Sequence, residues 1–208
     1  VVGVHTILTD RVKARIAKNA FSKIGQLCQM SIERKKDRDG LLVISGASTI
    51  LGGAGVTMVS NYIAAGASRT NGNSTEPYNG GDLRAVIHPF HQKALYSELV
   101  AGVGTYVVTD GPTADVFRSG FQLPVAGCKV WIDGNISIDS SDDAVGGVFG
   151  KEAIVLVQGR SPWTRTREEP DIGGGAESLW LYDEYAYGER SAGNWMFGIR
   201  ADASNPTS

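Results

Sequence analysis

The chain has 208 residues, 42% hydrophobic and 20% charged, with a formal net charge of −2 and a mean hydropathy of −0.11. That is enough for one large domain or two small lobes, and the global charge gives no case for a nucleic-acid or membrane partner. No apolar run approaches the ~20 residues of a membrane span, and no secretory signal is expected.

Glycine stands out at 27 residues, near twice the usual ~7%, which predicts many turns and close backbone contacts. Cys28 and Cys128 lie in apolar surroundings outside any Cys-x-x-Cys. They are expected to be reduced, buried small hydrophobes of a cytosolic product. The opening "VVGVHT" lacks a methionine, so a processed or trimmed N-terminus is expected.

Residues 9–39 carry the strongest local signal. Thr9 is placed as an N-cap and Asp10 in the first turn. Val12, Ile16, Ala20, Ile24 and Leu27 recur at helical steps, widened by Ala17, Phe21, Cys28 and Ile32. Gly40 is the expected stop. So long a helix suits a strut laid along a sheet. Its polar face is basic (Arg11, Lys13, Arg15, Lys18, Lys23, then "ERKKDRD"). A solvated face is the expected reading, ahead of a phosphate- or subunit-facing one.

Leu41–Ile44 is expected as a short buried strand. "GGAG" at 52–55 precedes a helical pattern of Val56, Val59, Tyr62, Ile63 and Ala67. It lacks the Gly-Lys-Ser/Thr ending of a phosphate loop, so it reads as a turn. Residues 69–82 are polar and turn-rich, hence a surface loop.

"DLRAVIHPFHQKAL" (82–95) holds two of the three histidines. Leu83–His88 reads as a strand and Pro89 as the first position of a helix, which buries Phe90, Ala94, Leu95 and Leu99. His88 then caps that helix and His91 sits in its first turn. A zinc site needs three or four ligands, and only His5 could add an imidazole. Neither an orienting carboxylate nor a Gly-x-Ser-x-Gly elbow is present. The expectation is a structural corner with no metal and no cofactor.

Val125–Ile132 reads as a strand and "DGN" (133–135) as a turn. "DSSDD" (139–143) lacks the Gly and distal Glu of a calcium loop, so a solvated turn is expected. "AVGGVFG" is expected as a glycine bend before a buried strand, Ala153–Val157. Residues 160–190 alternate through Trp163, turn through "EEPDIGGG" and return through Leu179, Leu181 and Tyr185, with Trp180 and Tyr182 on the other face. This predicts a long hairpin with a charged tip. "NWMFGIRADAS" closes the chain as a last strand.

The order of these parts resembles the major capsid proteins of tailed bacteriophages, whose fold encapsulin nanocompartments share. The resemblance rests on a long helix ending in "RKKDRDGLLVISGAS", a strand running into "HPFHQKAL", and "LPVAGCKVWIDGNI" followed by "AVGGVFGKEAIVLV". It covers about residues 5 to 203. It implies an α+β fold: a peripheral lobe with a spine helix and long hairpin (10–55 and 160–190), and an axial lobe with a mixed sheet flanked by helices (56–159 and 191–203). Residues 1–9 would be the remnant of an N-terminal arm or extended loop.

The function so implied is a non-enzymatic subunit that self-assembles as pentamers and hexamers into an icosahedral shell enclosing double-stranded DNA. It would be made in the host cytoplasm and reside in the virion. The partners implied are copies of itself, DNA held non-specifically, and portal, scaffold or decoration proteins; no membrane partner is implied. Arg165, Arg167, Glu168 and Glu169 at the hairpin tip are the candidate inter-subunit contact. The competing readings are an encapsulin-like compartment, a small metal-dependent or hydrolytic enzyme using His88 and His91, and a decoration protein.

Overall fold

In the computed structural model the described residues are 1–15, 19–73, 82–103 and 124–206. The chain forms two units, Val1–Asp39 with Leu156–Tyr187, and Gly40–Val155 with Gly188–Ser208. The first break thus follows Asp39, whereas the sequence places a lobe boundary after residue 55.

The first unit holds a three-stranded sheet in the order β1 (Val2–Thr9), β7 (Ala176–Glu189), β6 (Ile154–Glu169). Residues 2–9, expected as an arm remnant, pair antiparallel with β7 along their whole length. The first part of helix α2 (Asn19–Ser45) packs against this sheet. Cys28 and Ile32, one turn apart, are buried there, and the Thr6 hydroxyl meets the Cys28 sulfur at 3.3 Å. Lys36 reaches the buried Asp183 at 3.4 Å and the Gln158 side-chain oxygen at 3.0 Å, and lies over the Tyr185 ring. The opposite face carries rings: His5 stacks on Trp180 at 3.7 Å, and Tyr182 on Trp163 at 5.3 Å. The face assignment drawn from the alternation is therefore the observed one.

The second unit holds a mixed sheet in the order β2 (Ile50–Gly52), β8 (Met196–Asp202), β5 (Asp143–Gly150), β3 (Leu83–Ile87), β4 (Lys129–Ile132). Helix α3 (Ser60–Asn71) covers one face, where Ile63 and Ala67 join Ala85, Ile87, Val148 and Ile199 in the main core. A Cβ on Gly66 would stand 3.0 Å from that of Val148, so glycine there lets α3 approach the sheet closely. Successive strand residues face opposite ways, so Gly147, next to Val148, faces away from α3. Gly147 lies opposite Gly198 in the β5–β8 register. Ile44, at the end of α2, seats in the slot between them: a Cβ on Gly147 would come 2.5 Å from its Cγ2.

Several local expectations are corrected. A four-residue helix α1 (Asp10–Lys13) precedes α2, in place of one continuous helix. Thr9 is its N-cap without a side-chain cap bond; the Asp10 N–H is instead taken by the Gly175 carbonyl at 2.8 Å. Leu27, placed on the buried stripe, is 62% exposed; the inward line is Cys28–Ile32. Leu41–Ile44 is helical, because α2 runs through Gly40 to Ser45. Burial of Ile44 and Ala47 with Trp195 and Met196 outweighs the ~1 kcal/mol that an interior glycine costs. "AVGGVFG" is no bend but most of β5. Among the other readings, the surface loop at 69–82 lies mostly outside the described residues, as does the side chain of Leu99.

Because the Gly147 Cβ position is also 2.8 Å from the Phe197 carbonyl oxygen, alanine there cannot be relieved by a rotamer change alone. Gly147→Ala is expected to destabilise the protein by about 1–3 kcal/mol, the usual cost of overpacking, as measured by denaturant unfolding. Gly25→Ala, which meets nothing within 4 Å, is expected to be stabilising by about 1 kcal/mol.

Candidate functional site: the histidine corner, the carboxylate clamp and the hairpin

Strand β3 ends at Ile87, and helix α4 (Pro89–Val103) begins two residues later. Between them His88 turns its ring back so that Nδ1 accepts the Phe90 backbone N–H at 3.2 Å. It is an N-cap, as the sequence suggests, with an imidazole nitrogen in place of the usual oxygen. His91, in the first turn, has no solvent exposure. Its Nε2 donates to the Ala201 carbonyl at 3.1 Å, which leaves Nδ1 as an unprotonated lone pair with no described partner.

The two ring centroids are 6.2 Å apart. His88 Nδ1 and His91 Nε2 are already engaged, and among the described residues no group of three His, Cys, Asp or Glu is placed to hold a metal. The third histidine, His5, belongs to the first unit and is stacked on Trp180. The corner fixes α4 to β8 and has no arrangement of nucleophile, base and orienting carboxylate. Burial pushes the Cys128 thiol up to about 11, so it is protonated at neutral pH.

The acidic loop 139–143 has a different role from the solvated turn expected. Asp143 is 1% exposed. One of its oxygens accepts the Gly55 N–H at 2.8 Å, and the other pairs with the Arg200 guanidinium at 3.0 Å. Arg200 also meets Asp139 at 2.6 Å. The Asp139 carboxylate accepts the backbone N–H groups of Ser141 and Asp143. Those N–H bonds, with the Arg200 charge, hold its carboxyl below the usual range. The arginine thus ties the loop to β8, and the buried carboxylate anchors the 52–55 turn. Arg200 is the one cation in β8, but only the fold brings it to the loop.

The candidate contact residues lie at the far end of β6, short of the 170–175 turn. Arg165, Arg167 and Glu168 are exposed and Glu169 half-buried, and Arg167 pairs with Glu169 at 3.4 Å. The base of the same strand exposes three consecutive apolar side chains, Val155, Leu156 and Val157, the last by 60%. Sequence reading treated them as core.

No family model matches the sequence, and no curated protein matches it. Solved structures do. The capsid structure of the cyanophage P-SCSP1u aligns over 98% of this chain and 72% of its own, at 14% identity and a TM-score of 0.69. The chain therefore has the tailed-phage capsid fold. A chain of Mycobacterium phage Che8 aligns over 95% of this one and 69% of its own, at 14% identity and TM-score 0.69. The SrpI encapsulin of Synechococcus elongatus aligns over 100% of this chain and 76% of its own, at 9% identity and TM-score 0.64. In capsid-fold terms, α2 is the spine helix and β6–β7 the long hairpin.

Burial holds both His88 and His91 below the ordinary histidine value, with their mutual repulsion adding to the effect at His88. The unfolded chain thus binds more protons than the folded one between that depressed value and the ordinary 6.5. Stability is full above pH 6.5 and falls as pH drops through it. Denaturant midpoints measured from pH 7.5 to 5 should decline, and His91→Leu should flatten the decline whatever it does to the midpoint at pH 7.5.

Proposed function

We propose that this chain is a shell subunit that self-assembles, as pentamers and hexamers, into an icosahedral container for double-stranded DNA. The supporting observation is a fold likeness running the length of the chain to capsid chains of several phages. In this reading the first unit is the peripheral lobe and the second the axial lobe. Arg165, Arg167, Glu168 and Glu169 make a contact with a neighbouring copy, and the exposed Val155–Val157 run is covered on assembly. Each contact is modest, and repetition makes the closed shell stable.

The chain carries out no catalysis: its histidines serve a helix corner and a ring stack. Contact with DNA is non-specific, through exposed basic positions of α2 such as Arg38, and weakens with salt. Lys36 is not among them, since it is committed to Asp183 and Gln158. The product resides in the virion, with portal, scaffold and decoration proteins as further partners.

The encapsulin likeness supports a second reading, a compartment for protein cargo. Electron microscopy of the purified chain tests both: closed shells of uniform diameter are expected, and a uniformly monomeric protein would overturn them. Contents absorbing maximally near 260 nm favour the DNA container; protein contents favour the compartment.

A further inference from the structure

The two edges of the three-stranded sheet are built differently. Strand β6 carries Arg160, Arg165 and Arg167, with Pro162 in the middle. Charge and proline are the means by which proteins keep an edge from pairing. Strand β1 has neither: residues 1–9, "VVGVHTILT", contain no charged residue and no proline. It pairs with β7 over all of Val2–Thr9, and no described strand lies on its other side. Burial alternates along it, and Ile7 on its open face is 43% exposed. The strand is packed onto β7: His5 is stacked on Trp180, and Gly3 leaves room for the Tyr182 ring, 3.0 Å from where a Cβ would stand. An uncharged, regular edge of this length is a template for an extended backbone.

We infer that β1 is a docking edge for a second copy of this chain, pairing antiparallel with the copy's own β1 about a two-fold axis. Symmetry favours this occupant. On a dyad normal to the sheet, side chains of like face must meet, so the strand pairs with itself centred on His5 or on Thr6. Either centre sets uncharged residues opposite one another, where a charged edge would repel its own image. Pairing β1 with the β6 edge of a copy would instead meet Pro162 and the arginines. The product is a six-stranded sheet whose two outer edges are both the guarded β6, so growth stops at two. The contact goes beyond the shell reading and does not require it.

Sedimentation analysis of the whole chain and hydrogen exchange of residues 2–9 test it together, in wild type, Ile7→Lys and, as a charge control away from both contacts, Lys151→Glu. Ile7 lies on the open face, away from Cys28, so lysine there charges the edge without entering the core. Wild type and Lys151→Glu are expected to associate, with twice the 22.1 kDa chain mass as the smallest associated species, and to protect the β1 amides that do not face β7. Ile7→Lys should lose the paired species and that protection, with its circular dichroism unchanged. A monomeric wild type, or an Ile7→Lys protein that keeps both mass and protection, overturns the inference. Shells forming undiminished from Ile7→Lys would keep the shell reading and remove this contact; dimers without shells would do the reverse.

Discussion

Ile44 can reach the sheet of the second unit only because two strands present nothing there but backbone. Gly147 on β5 and Gly198 on β8 are register partners, and together they open a slot one side chain wide. Glycine within a strand gives up packing and costs chain entropy. Burying an isoleucine side chain, here 4% exposed, contributes roughly 1.5–3 kcal/mol and offsets that loss. The same seat explains why α2 does not stop at Gly40: the next apolar residues have a place to go only if the helix continues.

Close approach recurs on the other face, where Gly66 lets α3 sit against Val148. Adjacent residues of β5, Gly147 and Val148, therefore receive a helix on each side. Polar groups finish the unit at its ends. Arg200 bridges Asp139 and Asp143, and His88 and His91 tie the start of α4 to the sheet. A buried carboxylate and a buried imidazole are costly unless partnered; most of their polar atoms are, and the burial of both imidazoles is what makes the corner sensitive to acid. These groups are spent on holding the backbone.

Patterns of short period were legible in the sequence. The alternation in 176–187 assigned both faces of β7, and the Pro89 signal placed the start of α4 and its histidine cap. What failed depended on contacts distant along the chain. Gly40 looks like a helix stop and Gly146–Gly147 like a bend until Ile44 and β8 are in place; propensity yielded to packing at both. The acidic loop read as solvated because its cation, Arg200, is far away in sequence. Likewise Leu27 and Val155–Val157 are apolar by composition and exposed by position, and no local pattern separates such residues from core.

The glycine slot is tested most directly by a double-mutant cycle between Ile44→Ala and Gly147→Ala, read by denaturant unfolding. If the methyl added at 147 is costly because it strikes Ile44, it should be tolerated better once Ile44 is cut back. The double variant should then be more stable than the sum of the single losses by about 1 kcal/mol or more. Strict additivity would mean that Ile44 does not occupy the slot, and the account of why α2 extends to the sheet would fall.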